Sequence, residues 1–325
     1  MDDLAVIVVS TNEGRWLRPC LSSVLARQGD CRLDLVVVDN ESTDDTRAVV
    51  SEFPGARIVP SRNLGFAHAN NRGLMTTTAR YVLFLNPDTE IRSGTFEQLV
   101  QLLDERREVG LAGVVQVDAE GQIYPTIRRF PNALRALGTA FGSERLPIRP
   151  GWLLERELDL EPYERETDCD WTSGSFMFAR REALESAGFM DERFFIYSEE
   201  PDLCLRLKHA GWQVRHLPQM TIVHHAGKAG IRPRMSAQDA YTRKQLARKH
   251  FSPAHRMCYE LALGLGYVVR ALAPDGDLAA ANRRAAARAA LRVLVGIDGP
   301  PFGAPPRQAV AIRGAPDSAV HRQSA

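Results

Sequence analysis

An α/β fold on a mostly parallel central sheet, with a helical extension behind it, is predicted by three features of the sequence. Short apolar runs alternate with helix-like stretches in the first 85 residues; each run ends in polar residues; and from Ser236 the pattern turns mainly helical. The runs are LAVIVV (4–9), LVVV (35–38), ARIVP (56–60) and YVLFL (81–85). Continuous rather than alternating apolarity marks strands covered on both faces, as in a parallel sheet. Between them, Trp16 to Ala26, Asp44 to Phe53 and Phe66 to Met75 read as helices, completing β-α-β units. From Gly110 to His225 the pattern is mixed. Strands are expected at 110–117 and 175–181, a helix from Pro201 to Ala210, and a further strand ending at His224. The stretch 130–167 carries loop-like turn and charge content and receives no element. The expected division is a nucleotide-sugar and acceptor domain over 1–235, a helical extension over 236–298, and a disordered tail over 299–325. That tail holds five prolines and three glycines among 27 residues.

Composition is globular: 44% hydrophobic, 25% charged, formal net charge +1 over 325 residues. That near-neutral balance points away from nucleic acid as a partner. The five cysteines, Cys20, Cys31, Cys169, Cys204 and Cys258, are odd in number and none are at C-x-x-C spacing. They read as reduced thiols of a cytoplasmic protein rather than a disulfide framework or zinc site. Leu4 to Val9 has no basic region before it and is read as a first strand, not a signal peptide. The apolar run Leu261 to Val269 is far below the roughly 20 residues of a spanning helix.

In sheets of this type the ligand lies beyond the carboxyl ends of the strands. Those ends carry Ser10-Thr11-Asn12-Glu13, Asp39-Asn40, Arg62-Asn63 and Asn86-Pro87-Asp88. All four are more polar than turn-making requires. The turn after the first strand, STNEGR, has one glycine where a dinucleotide fold needs Gly-x-Gly-x-x-Gly. A nicotinamide enzyme and a P-loop enzyme are therefore both disfavoured. Asn-Pro-Asp, by itself, is also good turn chemistry.

The ordered set VIVVSTNEGRWLRPCLSSV, LVVVDNESTDDT, RNLGFAHANNRG, YVLFLNPDTE, WTSGSFMFARREALESAGFMDERFFIYSEEPDLCLRLKHAGW and IVHHAGKAG resembles family-2 glycosyltransferases. It is most similar to the bacterial rhamnosyltransferase-like branch, with its GT-A nucleotide-sugar domain. The resemblance spans roughly residues 4 to 250. It implies an inverting, metal-dependent transfer of a sugar from a nucleoside diphosphate donor, dTDP-rhamnose or a UDP-sugar. The implied acceptor is a glycan, lipid-linked sugar or small molecule.

Residue by residue, the resemblance puts Thr11 and Glu13 in the nucleotide pocket and Asp39 on the base or ribose. Asn63, Gly65 and Asn70 would hold the nucleotide, with Asn86 beside them. Asp88 matches the last carboxylate of the family's Asp-X-Asp motif, and His224 the histidine that completes its metal site. His225 competes with it, since adjacent strand residues face opposite ways. Mg²⁺ or Mn²⁺ accepts few protein ligands when phosphates supply the rest, so one carboxylate suffices.

Glu200 takes the position often held by aspartate in the family's catalytic pair. Pro201 suits a first helical turn, which puts Glu199 and Glu200 at the positive end of a helix. That position is expected to keep the base ionised. Asp202 and Arg206, four apart, read as a helix-surface pair, and Leu203, Leu207 and Ala210 as core. Arg284, Arg288 and Arg292 form a basic stripe read as a solvated face. Peripheral contact at the inner face of the plasma membrane and a homodimer both stay open. Two rival readings remain: a sugar nucleotidyltransferase, which should carry a glycine-rich basic loop after the first strand, and a non-catalytic sugar-nucleotide binder.

Overall fold

The computed structural model describes residues 3–146, 149–225, 232–272 and 278–303. The chain opens with β1 (Leu4–Ser10), α1 (Gly14–Ala26), β2 (Leu33–Asn40), α2 (Thr46–Ser51), β3 (Ala56–Ser61), α3 (Phe66–Leu74) and β4 (Tyr81–Leu85). β1 and β4 are buried at every position. Their unbroken apolarity follows from helices lying on both faces. Next come β5 (Thr89–Ser93), α4 (Phe96–Glu105), β6 (Val109–Val117), α5 (Ala133–Ala140), β7 (Thr167–Asp168), β8 (Phe176–Arg180), α6 (Arg181–Ala187), α7 (Glu199–His209) and β9 (Gln213–His224). The helices α8 (Pro233–His250), α9 (Pro253–Leu272) and α10 (Leu278–Leu294) follow.

The strands form one mixed sheet in the order β3-β2-β1-β4-β8-β6-β9-β5, with β7 also on β9. The first four are parallel. β8 then runs antiparallel to β4, setting Phe176 opposite Leu85. That reversal carries Ser173, Gly174 and Ser175 to the same edge as Asn86 and Asp88. β5 pairs antiparallel with β9 and places Thr89 opposite His224, which brings the end of β9 to the end of β4.

Alternate strand residues feed two cores. Val6, Leu17, Leu83 and Phe178 pack on one face, and Ile7, Val38, Phe84 and Leu203 on the other. A third core, with Ala240, Tyr259, Leu263 and Tyr267, lies among α8, α9 and α10. α9 buries Tyr259, Ala262, Leu263, Gly266 and Tyr267. Its opposite face leaves Met257, Leu261, Leu265, Val268 and Leu272 exposed. Among the described residues no helix is long and apolar enough to cross a membrane, and all five cysteines are free.

Four details differ from the sequence reading. The unassigned stretch 130–167 contains α5, capped by the Asn132 side chain on the Arg135 amide at 2.9 Å. Ala210, expected in the core, is exposed, while Leu203 and Leu207 are buried. Asp202, expected on a helix surface, is wholly buried: besides Arg206 at 2.7 Å it meets Lys249 at 2.6 Å and His250 at 2.7 Å from α8. The expected tail begins with a docked turn. Phe302 stacks on Phe195 at 4.5 Å between ring centroids, and the Arg234 guanidinium lies 4.0 Å from the Phe302 ring. Residues 304–325 of that tail lie outside the described residues.

Candidate active site

The carboxyl ends of the parallel strands form the first half of the site. Asp39, at the end of β2, is 1% exposed; it accepts from the Ser42 amide at 2.9 Å and from Arg47 Nε at 2.6 Å. Burial pushes its carboxyl up, but the Ser42 donors and the Arg47 guanidinium together hold it below its usual value. Asp39, Arg47, Pro60, Arg62 and His68 line a cleft of about 490 Å³. Asn40, which the sequence reading left out of the site, donates through Nδ2 to Thr11 Oγ1 and Asn63 Oδ1, both at 3.1 Å. It ties three of the four polar strand ends together. Asp44, also missed, accepts from the Gly14 amide at 2.8 Å and from Thr46 Oγ1 at 2.6 Å. A side chain at Gly14 would meet Asp45 Oδ1 at 2.1 Å, so the lone glycine of STNEGR serves this acidic turn.

Two further expected nucleotide ligands make contacts within the chain itself. Asn70 is buried and its amide nitrogen donates to the Phe66 carbonyl of its own helix at 3.0 Å. Gly65 has φ of 112° and makes its close approach to the chain itself, where a Cβ would lie 2.4 Å from the Phe195 oxygen.

The second half gathers at the end of β4. Asp88 Oδ1 lies 3.1 Å from His224 Nε2, and Asn86 Nδ2 lies 3.4 Å from the same nitrogen. His225, the competing residue, is turned away: its Nε2 meets Glu90 at 2.6 Å and its ring stacks on Trp16 at 4.8 Å. Glu13 stands near enough that burial first, and the Asp88 charge second, push its carboxyl up. Among the described residues no three His, Cys, Asp or Glu side chains gather as a metal cage. One carboxylate and one imidazole nonetheless fit a hard or borderline divalent cation whose remaining ligands are phosphate and water oxygens. The far edge of the ring is held as well. His224 Nδ1 is 2.9 Å from the Gln116 amide, and Gln116 is held by Ser175 Oγ at 2.6 Å. An amide there can orient the ring through either of its ends.

Glu200 completes the arrangement. It lies in the first turn of α7, and its Oε1 accepts from the Gly174 amide at 3.2 Å. Gly174 has to be glycine for this, since a Cβ would lie 2.6 Å from that oxygen. Tyr197 and Ser198 enter the helix with φ of 72° and 69°. Two successive non-glycine residues in the left-handed region mark stored backbone strain. The sequence reading expected the helix start to keep Glu200 ionised; burial works against that pull. Burial pushes the Glu200 carboxyl above its usual range, against the pull of backbone donors and Arg128. Glu199, 2% exposed, is pushed up further by burial and by the Glu200 charge. Of the two, Glu200 is the one open to a ligand. The two halves meet at one turn: Gly174 holds Glu200, and Ser175 holds Gln116, which holds His224 beside Asp88.

A parallel sheet with polar strand ends, closed by an antiparallel return and an acidic helix start, is the α/β arrangement of the GT-A architecture. The model described as "Glycosyl transferase family 2" matches residues 5–187, and "Glycosyl transferase family group 2" matches 166–255. The chain belongs to glycosyl transferase family 2 and is a glycosyltransferase similar to its rhamnosyltransferases. It is 32% identical over 237 residues to N-acetylglucosaminyl-diphospho-decaprenol L-rhamnosyltransferase of Mycobacterium tuberculosis, covering 69% of this chain and 76% of that one. Rhamnosyltransferase WbbL of Escherichia coli is 24% identical over 229 residues, covering 68% of this chain and 83% of its own. The mannosyltransferase PcManGT from Pyrobaculum calidifontis, solved with GDP-Man and Mn²⁺, shares the fold. Its TM-score is 0.54 at 18% identity, over 91% of this chain and 88% of that one.

Proposed function

We propose that the protein transfers a sugar with inversion from a nucleoside diphosphate donor to an acceptor hydroxyl. Glu200 is the general base, and Asp88 and His224 are the residues that hold a divalent cation. The observation that carries this reading is the continuous link from Glu200 through Gly174, Ser175 and Gln116 to His224 and Asp88. It fixes a proton acceptor and a cation-holding pair on either side of one turn. Glu200 takes the acceptor proton. The freed oxygen bonds the anomeric carbon from the side opposite the diphosphate, whose bond to that carbon breaks. A bound Mg²⁺ or Mn²⁺ supplies charge neutralisation on the leaving diphosphate. Asp39, with Thr11, Asn40 and Asn63, grips the nucleoside. The raised position of Glu200 suits a base, because an ordinary carboxylate is too weak to draw a proton from a sugar hydroxyl.

dTDP-rhamnose is the first donor to test, given the similarity to rhamnosyltransferases. A lipid-linked sugar diphosphate is the first acceptor, since the M. tuberculosis relative carries one in its name. Peripheral contact with the bilayer presenting it belongs to the same reading, supported by the five exposed apolar side chains of α9. The 1–235 and 236–298 division also belongs here, supported by the separate core of α8, α9 and α10. The test is Glu200→Gln, which keeps the shape and removes the basicity. Transfer at saturating substrates should fall by about 10²–10⁴-fold with donor affinity unchanged. In parallel, Mn²⁺ should tighten nucleotide binding relative to EDTA, and Asp88→Ala should remove the difference. Near-normal turnover in Glu200→Gln rejects the base, and metal-independent nucleotide affinity in the wild type rejects the cation pair.

A further inference from the structure

A cavity of about 610 Å³ lies beside the segment that leads into α7. Its lining includes Tyr197, three residues before the base, Asp239 of α8, Tyr267 of α9, and three arginines. The arginines arrive from three places: Arg232 ahead of α8, Arg270 in the last turn of α9, and Arg283 in α10. None of the three forms an ion pair among the described residues. The neighbouring Arg243, by contrast, is held by Asp239 at 3.0 Å and Glu155 at 3.2 Å, and Arg292 by Asp298 at 2.7 Å. Asp239, the acid in the lining, is therefore already engaged. Three guanidinium groups on one concave surface, with no ion pair among the described residues, attract and fork onto phosphate oxygens.

Apart from Ser236 and the tyrosine hydroxyls, the rest of the lining is apolar. Tyr267 is 5% exposed and lies under the Arg270 guanidinium at 4.8 Å, with Ala286 and Ala287 beyond it. A wall of this kind suits a ligand whose anionic group continues into hydrocarbon. Tyr197 of the lining is three residues from Glu200, and the Asp239 charge acts on both.

We propose that this cavity seats the diphosphate of a lipid-linked acceptor, placing the sugar beyond it at Glu200. The assignment rests on the reading of Glu200 as the base. It makes Arg270 and Arg283 acceptor-binding residues, distinct from the nucleotide cleft at Asp39 and the pair at Asp88.

The probe is geranyl diphosphate, titrated calorimetrically into the full chain with the nucleotide cleft filled by dTDP and Mn²⁺. The wild type should bind it, and Arg270→Gln/Arg283→Gln should weaken binding at least tenfold while dTDP–Mn²⁺ affinity stays the same. Ala287→Asp, which sets an acid into the cavity, should act in the same direction, and an unchanged melting temperature certifies both folds. Inorganic pyrophosphate should bind the wild type more weakly than geranyl diphosphate; equal affinity overturns the lipid-linked acceptor in favour of a free anion. Geranyl diphosphate binding that is absent, or indifferent to all three substitutions, overturns the site itself. Failure of dTDP–Mn²⁺ to bind the wild type would count against the proposed function, and the cavity titration, repeated without nucleotide, is read independently.

Discussion

The proposed nucleotide side and the proposed acceptor side of this protein treat their buried acids in opposite ways. At Asp39, burial is outweighed by Ser42 and Arg47, and the carboxyl is held below its usual value. At Glu199 and Glu200, burial wins and both carboxyls are pushed up. Asp202 shows that the helix is not the cause. It is two residues from Glu200, on the same α7, and 0% exposed. Yet His250, Arg206 and Lys249 overcome the cost of its burial and hold it far below the usual range. What separates the two kinds is direct partnering: Asp39 accepts from Ser42 and Arg47 and Asp202 meets three cations, whereas Glu200 accepts from the Gly174 amide and has Arg128 only at longer range.

The largest expected effect comes from breaking the braced acid. Asp202→Asn leaves Lys249, Arg206 and His250 facing a neutral amide, and should cost about 3–5 kcal/mol of stability in denaturant unfolding at neutral pH. Because the folded value of Asp202 is depressed, its contribution is complete above the unfolded value of 3.8 and is lost as pH falls through the folded one. The gap between wild type and variant should therefore close on acidification. A gap that stays constant to pH 3 would show that the cations, not the carboxylate charge, carry the effect.

Next in size is Gly174→Ala, which pushes on Glu200 directly. Transfer should fall by about 10²-fold from misplacement alone, with nucleotide affinity intact. The raised Glu200 predicts more for the wild type: since only the ionised form accepts a proton, kcat should rise with pH through a midpoint above the ordinary 4.5. A midpoint at or below that value would remove the contrast between the two sides.

Asp39→Asn sharpens the comparison from the other end. Arg47 is 67% exposed, so much of its pull is screened by water. The expected loss is about tenfold in nucleotide affinity, or about 1.4 kcal/mol, with turnover of bound donor unchanged. Smallest of all, Phe302→Ala removes the stack on Phe195 and should cost about 0.5–1.5 kcal/mol, read as a lower melting temperature.

The same contrast decides what sequence alone makes legible. β1 and β4 declare themselves because burial on both faces leaves no polar residue to interrupt them. The polar strand ends follow, and with them Asp39 and Asp88. The choice between His224 and His225 does not, because a strand's alternation says that they diverge and not which one faces Asp88. The pairing of β5 with β9 makes that choice. Asp202 reads as a surface residue because helical spacing reveals Arg206 and is blind to Lys249 and His250, more than forty residues away. Gln116 leaves no local signal: a glutamine inside an apolar strand becomes meaningful only when β8 brings Ser175 beside it. α5 is hidden in a stretch of turns and charges because much of its stability comes from packing on α9 and not from its own sequence.

The clasp of Phe302 on Phe195 has a consequence for the order of events during synthesis. The sheet can close once β9 has emerged, but the loop leading to Glu200 waits for Phe302, translated about eighty residues after the end of β9. At the usual elongation rate that interval is on the order of 4–16 s. Over that interval the nascent protein holds the proposed nucleotide cleft beside an unclasped Glu200, so the proposed donor side is assembled before the proposed acceptor side.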